Sequence, residues 1–473
     1  MRTKLLLTIL FATFGLSINA QTTFQKIFGS IGQDGGYSVI QTADSNYIFT
    51  GYWTTPTNQS YLFLIKVNSI GDTIWTRIRK TFSCGNTGGY SIIQTSDLGY
   101  AVVGYKLVCY PSQNTQFYML KTNEIGDSLW GFTYGQNYVD YAYSVKQTSE
   151  GGFIIAGYTD TITGSVGHLY LIKTDVIGAS IWSKTYGSSK YGEAHSVIQT
   201  SDDGYVVVGF LQQSNGLDDV YLVKTDNNGD TLWTKYYGGA NEDVGYCIQK
   251  THDNGFIIAG ATMTYGVGGY DAYLIKTNSN GIMQWQKTFG GLDDDWGNYV
   301  YPTSDGGYII AGSTQSFSNG NYDIYLVKTD SLGNQQWYKS FGGINADYAY
   351  SVQQTFDGGY ILVGMRGDNI YLIKTDGNGN ATSINEMDIS VLSSNVSIFP
   401  NPFSSATTIQ SNTNLENATL TVYNSFGQQV KESKNISGQS ITFLRDNLPN
   451  GIYYIRLTED NKIIAANKII ITD

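Results

Sequence analysis

Residues Thr303–Thr314 read TSDGGYIIAGST. Nearly the same phrase stands at Thr355–Arg366, TFDGGYILVGMR, and at Thr251–Thr262, THDNGFIIAGAT. Self-similarity at a fixed spacing is the signature of a stacked or ringed array. The glycine that closes the phrase recurs at Gly51, Gly104, Gly157, Gly209, Gly260, Gly312 and Gly364, in steps of 51 to 53 residues. Trp75, Trp130, Trp182, Trp233, Trp285 and Trp337 keep the same step, as do Lys66, Lys121, Lys173, Lys224, Lys276, Lys328 and Lys374. The chain therefore holds seven repeats.

Each repeat contains four short apolar-rich runs; in the fourth they are HSVIQT, YVVVGF, VYLVKT and TLWTKYYG. The connections SDDG and DNNGD are turn formers, in which Gly takes positive φ and Asp bonds its own backbone. Four strands of about six residues joined by tight turns make an antiparallel meander, lettered A to D below. A four-stranded period of this length is that of a β-propeller blade. After the seventh C strand, NIYLIKTD, the Trp strand is missing. Yet TTFQKIFGS at Thr22–Ser30 aligns with TLWTKYYGG and puts Phe24 in the Trp place. Residues 22–29 are thus predicted to complete the last blade and close the ring, which removes the two edges an open array would expose. The fold class is all-β: a seven-bladed propeller with a small C-terminal domain. The recurring Trp reads as packing between blades. The recurring Lys lies within a strand and is rarely buried unpaired. It is expected to meet either the acid of the A–B turn (Asp44, Asp97, Glu150, Asp202, Asp253, Asp305 or Asp357) or the carbonyls of that turn.

Composition agrees with sheet. The 473 residues include 38 Tyr and 55 Gly, only six Pro, and no low-complexity block. A net charge of −11 argues against nucleic acid or an anionic membrane as the partner. Residues 1–20, MRTKLLLTILFATFGLSINA, read as a signal peptide: Arg2 and Lys4, a short apolar run, then Ile18-Asn19-Ala20. No later run is long and apolar enough to span a bilayer. The expected domains are 21–376 for the propeller, 377–395 for a linker and 396–473 for the C-terminal sandwich.

The segment TDNNGDTLW at Thr225–Trp233 resembles the quinoprotein-type propeller repeat, with a turn one residue shorter. It also resembles the Asp-box of sialidase-like propellers, although Asp226 precedes Gly229 by three positions instead of two. Both resemblances concern the fold. The C-terminal stretch is more specific: VSIFPNPFSSATTIQ, ATLTVYNSFGQQVKE and LPNGIYYIRLTEDNKIIAANKIIITD. It resembles the C-terminal sorting domain of the type IX secretion system of Bacteroidetes, through Pro400-Asn401-Pro402, the turn at Gly427, Gly451-Ile452-Tyr453 and Lys468. The resemblance implies an immunoglobulin-like β-sandwich, the type IX machinery as partner, and delivery to the cell surface or the medium. The tail IIITD is less basic than members often show.

Topology puts the D–A and B–C connections on one face and the uniform A–B and C–D turns on the other. The first set varies, and variable loops on a rigid scaffold are where binding usually sits. Trp53, Tyr110, Tyr265, Trp296 and Phe317 fall there and suit stacking on sugars or gripping a protein. An acid recurs before strand A at Asp34, Asp140, Asp243, Asp295 and Asp347, with Glu193 one place later in the fourth repeat. Such carboxylates either cap the start of the strand or hold Ca²⁺. LDDDW, with Asp293, Asp294 and Asp295 beside Trp296, is the best local candidate for a cation or ligand. Cys84 and Cys109 fall on the variable face of blade 2 and are candidates for a disulfide, provided their α-carbons approach within about 7 Å. Cys247 replaces a Ser inside an A strand and reads as a buried thiol. No zinc spacing, nucleophile elbow or phosphate loop appears, and no catalytic residue or resident cofactor is assigned. The reading is an exported, non-catalytic binding propeller for a glycan or a protein. The alternatives are a glycan hydrolase or lyase using acids on the variable face, and a structural accessory of a surface assembly.

Overall fold

A computed structural model describes residues 21–29, 32–55, 57–79, 85–108, 114–135, 139–160, 167–187, 190–382, 396–424, 429–459 and 462–472. The residues of the expected signal peptide, residues 383–395 of the expected linker, and Cys84, Cys109, Tyr110 and Gly427 lie outside them, while 377–382, also expected in the linker, belong to the first unit. The chain divides into two compact units, Met1–Thr382 and Ser383–Asp473.

The first unit is a ring of seven four-stranded antiparallel sheets. Blades 1 to 6 run A-B-C-D in chain order; blade 1 is Gly35–Gln41, Tyr47–Thr54, Ser60–Val67 and Thr73–Arg79. Blade 7 takes its A, B and C strands from Asp347–Gln354, Tyr360–Arg366 and Asn369–Thr375, and its D strand from Phe24–Phe28. The register of that closing strand repeats the others: Phe24 pairs with Lys374 as Trp75 pairs with Lys66 and Trp130 with Lys121.

The same substitution holds in the packing between blades. Each Trp sits on the positive-φ glycine of the next blade's C–D turn. A Cβ added to Gly126, Gly229 or Gly333 would lie 2.6 to 2.9 Å from Trp75, Trp182 or Trp285. At the closure, a Cβ on Gly71 would lie 2.9 Å from the Phe24 ring. Glycine serves two needs there, since it alone takes the backbone conformation freely and it leaves a seat for the ring.

The phrase that marks the repeat has an equally local cause. Every A strand carries a β-bulge, where two residues oppose one on strand B. The bulge drives an A-strand carbonyl onto the B-strand glycine. A Cβ at Gly312 would stand 1.7 Å from the Trp296 oxygen, and one at Gly260 1.8 Å from the Val244 oxygen. No side chain fits, so the seven-fold glycine is a requirement of the bulge.

All seven C-strand lysines meet their A–B turn acids. The distances are 2.7 Å for Lys66–Asp44, 2.8 Å for Lys121–Asp97, Lys173–Glu150, Lys276–Asp253 and Lys328–Asp305, 2.9 Å for Lys224–Asp202 and 3.0 Å for Lys374–Asp357. Each lysine is nearly buried while its acid stays half exposed, so the pair gains attraction without full desolvation of both charges. Partial burial pushes the Asp253 and Asp305 carboxyls up, but hydrogen bonds from Lys, Thr and Gly outweigh it and hold both at about 2.

The second unit has strands Val396–Phe399, Ala406–Asn424, Gln429–Leu444, Gly451–Glu459 and Lys462–Ile471 in one hydrogen-bonded five-stranded sheet. Its long second and third strands pair through several register shifts. Val396, Ile409, Leu420, Phe443, Ile455 and Ile469 contribute to a single core.

Candidate functional site

The bulges aim one residue per blade at the ring axis. They are Tyr37, Tyr90, Tyr143, His195, Tyr246, Asn298 and Tyr350, all lining a cavity of about 250 Å³. Their rings touch in sequence: Tyr350–Tyr37 at 4.7 Å between centroids, Tyr37–Tyr90 at 4.9 Å, Tyr90–Tyr143 at 5.5 Å, Tyr143–His195 and His195–Tyr246 at 5.2 Å. Asn298, in blade 6, instead donates to the Ala349 carbonyl of blade 7 at 2.9 Å. Burial pushes the hydroxyls of Tyr37, Tyr90, Tyr143 and Tyr350 far above the ordinary phenol value. Burial also pulls His195 below the usual imidazole value, against the opposing pull of Glu193. The girdle is therefore uncharged at neutral pH.

The next residue in each A strand stitches blades together. The hydroxyls of Ser38, Ser144 and Ser351 accept from the Ile92, Val197 and Val39 amides of the following blade at 3.2, 3.3 and 3.3 Å. Cys247 takes this place in blade 5 and donates to the Val300 carbonyl at 3.6 Å; its thiol is buried and pushed up to about 11.

Two residues further on, the blades stop agreeing. The axial position holds Ile40, Ile93 and Ile198 in blades 1, 2 and 4, but Lys146, Gln249, Tyr301 and Gln353 in blades 3, 5, 6 and 7. Those four polar side chains line the girdle cavity and also a larger bowl of about 880 Å³ beyond it. The bowl opens among the A–B turns, where Lys250, His252, Thr303, Ser304 and Phe356 join its wall. Its amides divide into two kinds. Gln147, Gln199 and Gln354 accept from the turn amides of Ser96, Ser149 and Ser304 at 2.9, 2.8 and 2.7 Å and are spent on the framework. Gln249 and Gln353 keep capacity: Gln353 accepts only from the Gln41 amide, and the Gln249 carbonyl oxygen has no partner among the described residues. No carboxylate stands among the described residues that line either cavity.

The opposite face carries the residues singled out from the sequence. Trp53 packs edge-on to Phe63 at 6.3 Å, within the core shared by blades 7 and 1. Tyr265 lies against Tyr273 and donates to the Gly238 carbonyl at 2.8 Å. Phe317 packs between Tyr325 and Tyr338. These three belong to separate core clusters. Trp296 lies over Tyr270 at 4.3 Å between centroids. Asp294 is brought beside it, accepting from the Tyr270 amide at 2.9 Å and the Tyr322 hydroxyl at 3.2 Å. Asp293 is exposed. Asp295 is fully buried and accepts from the Gly291 amide at 2.8 Å and the Ser316 hydroxyl at 2.7 Å, tying its D–A loop to its B–C loop. Asp347 makes the same tie through Gly343 and Gly367 at 2.9 and 3.0 Å, which leaves these acids as caps. Among the described residues no three His, Cys, Asp or Glu side chains converge as a metal site would need.

In the C-terminal unit the residues quoted from the sequence come together. The Asn401 side chain donates to the Lys468 carbonyl and accepts from the Ile470 amide, both at 2.8 Å, so PNP docks on the last strand. Tyr453 is buried and donates to the Pro449 carbonyl at 2.8 Å, just ahead of Gly451. Residues 397–472 match the family described as the secretion system C-terminal sorting domain. This unit is a secretion sorting domain. Such a tail marks proteins secreted by the type IX system to the cell surface or the medium, and it makes the type IX machinery a partner of the chain. Among the described residues no helix is long and apolar enough to cross a membrane.

The propeller unit has more distant likenesses. The regulatory protein FlaEY of Caulobacter vibrioides is 23% identical over an alignment of 256 residues that covers 46% of this chain and 26% of that protein. The chain thus spans about a quarter of that relative's length. Among solved structures, the WD40 domain of Neurospora crassa Pan2 is 10% identical, with a TM-score of 0.45, over 76% of this chain and 99% of that one. A BBS1 N-terminal domain solved in complex with ARL6 is 9% identical, with a TM-score of 0.43, over 76% and 99%. The propeller assignment rests on the blades and their register.

The sequence reading passed over Lys146, Gln249, Tyr301 and Gln353. Their signal was present: once the repeats are aligned, each replaces the Ile of blades 1, 2 and 4 at one position. Departure from the repeat, in the strand nearest the axis, is what marked them.

Proposed function

We propose that the chain is an exported, non-catalytic binding propeller whose ligand is a glycan, taken up at the axial bowl. One observation carries this reading. The larger axial cavity, about 880 Å³, is walled by amide, hydroxyl, aromatic and basic side chains, with no carboxylate among the described lining residues. Gln249 and Gln353 supply donors and acceptors for vicinal hydroxyls, and Tyr301 offers a ring for stacking, the usual mixture of a concave polar-ligand site. A retaining or inverting glycosidase needs two carboxyl groups flanking the bond it cleaves. Their lack in the bowl favours binding over cleavage. The sorting tail supports export, which would place the propeller where surface or environmental glycans are met.

Titration of the full chain against a panel of oligosaccharides, by calorimetry, tests the reading. Tyr301→Ala and Gln353→Ala should each weaken binding about tenfold, the usual order for one stacking or hydrogen-bond contact. Trp296→Ala, on the opposite face, should leave it unchanged. The reverse pattern would move the ligand to the variable loops and end this proposal.

A further inference from the structure

Lys146 stands apart from every other strand lysine. The seven C-strand lysines each have an acid within 3.0 Å. Lys146 makes no ion pair and no side-chain hydrogen bond with any described residue, and it lines both axial cavities. It is only partly exposed, into the hollow, and desolvation pulls its ammonium below the usual lysine value, with only Cys247 opposing. That thiol is itself pushed up to about 11, so it supplies no negative charge at neutral pH. Lys250 and His252 stand further out on the same wall. In a chain of net charge −11, this is a cationic, carboxylate-free hollow.

A half-buried cation without a partner among the described residues costs free energy, and three blades show that Ile satisfies the same position. Retaining such a group in a cavity points to a ligand that supplies the missing charge. Building on the glycan reading above, we propose that the bowl selects acidic saccharides, with the Lys146 ammonium at its waist pairing with a uronate carboxylate or a sulfate ester. Gln249, Tyr301 and Gln353, at the same depth, bind the hydroxyls of that residue. Lys250 and His252 meet further anionic groups nearer the mouth. A saccharide suits this wall better than an acidic peptide, whose apolar side chains would find few apolar neighbours beyond Ile198, Pro302 and Phe356.

The test uses the full chain and paired probes: oligogalacturonate against neutral galacto-oligosaccharide, and sulfated dextran against dextran. The acidic member of at least one pair should bind, and the pair that responds tells carboxylate from sulfate. Lys146→Ile should weaken that binding at least about tenfold, the loss of one charge-assisted contact. It should leave the melting temperature unchanged or raised, since the repeat's own residue is restored. Lys339→Met, on an outer strand, should change nothing and so controls for overall charge. Equal binding of neutral and acidic probes, unaffected by Lys146→Ile, would overturn the charge selection and leave the glycan reading standing. Failure of all four probes to bind would overturn both. A large drop in melting temperature for Lys146→Ile would make the lysine structural and also overturn the proposal.

Discussion

The rim of the propeller and its axis are built from the same seven repeats, yet they obey different rules. At the rim the Trp-on-glycine seat and the Lys–Asp pair recur in blade after blade, and where Trp is absent Phe24 takes its seat. At the axis the bulge residue is nearly constant, but three positions further along the strand Ile gives way to Lys, Gln, Tyr and Gln in blades 3, 5, 6 and 7. The rim must satisfy an identical contact at each junction, so identical residues are the cheapest solution. The axial hollow touches no neighbour that demands a particular shape, and its residues are free to suit a ligand. In a repeat fold, uniformity marks framework and local departure marks the working surface.

Four changes sharpen that contrast, ordered by expected effect. Gly312→Val forces a Cβ to within 1.7 Å of the Trp296 carbonyl and should cost about 3 kcal/mol or more, read as a lower denaturation midpoint. A mild effect would mean that the bulge does not fix this residue. Trp285→Ala empties the seat on Gly333 and should cost about 2 kcal/mol, below the range of a fully buried Trp because the ring is half exposed. Asp253→Asn leaves Lys276 almost buried without its counter-charge. With Asp253 itself half exposed and screened, the loss should be about 1 kcal/mol.

The same pairs set an acid limit. Asp202, Asp253 and Asp305 are held at about 2 in the fold, below their unfolded value. Their stabilisation is therefore complete above the unfolded carboxylate pKa of about 4 and is lost as pH falls through about 2. An acid melt of wild type should show a midpoint that declines across this window, and Asp253→Asn should flatten the decline. The smallest effect, and of opposite sign, belongs to the axis: Lys146→Ile should leave stability equal or slightly higher. A clear loss would erase the distinction between rim and axis.

Much of the fold was legible because its causes are local or periodic. The Gly51 series, the Trp75 series and the shift of one D strand to the N-terminus together specify seven blades and their closure. That each strand lysine reaches the A–B turn was readable too, and the structure decides that its acid is the partner. The candidate site was less legible. Loop variability drew attention to Trp53, Tyr265, Trp296 and Phe317; the structure packs Trp53, Tyr265 and Phe317 against rings of their own blades and Trp296 against Tyr270 and Tyr246 of the preceding blade. Sequence spacing says which face a loop occupies. It does not say whether a ring on that face meets solvent or the next side chain.

The sequence by itself determined the number of blades, the strand that fastens the ring and the address carried by residues 397–472. Each follows from a motif that repeats or from residues close along the chain. Only the tertiary structure decided that the bulges turn seven side chains inward, that the wider hollow opens among the plain turns, and that Lys146 stands there with no counter-charge among the described residues. Those facts depend on seven strands, distant in sequence, meeting round one axis, and no single repeat contains them.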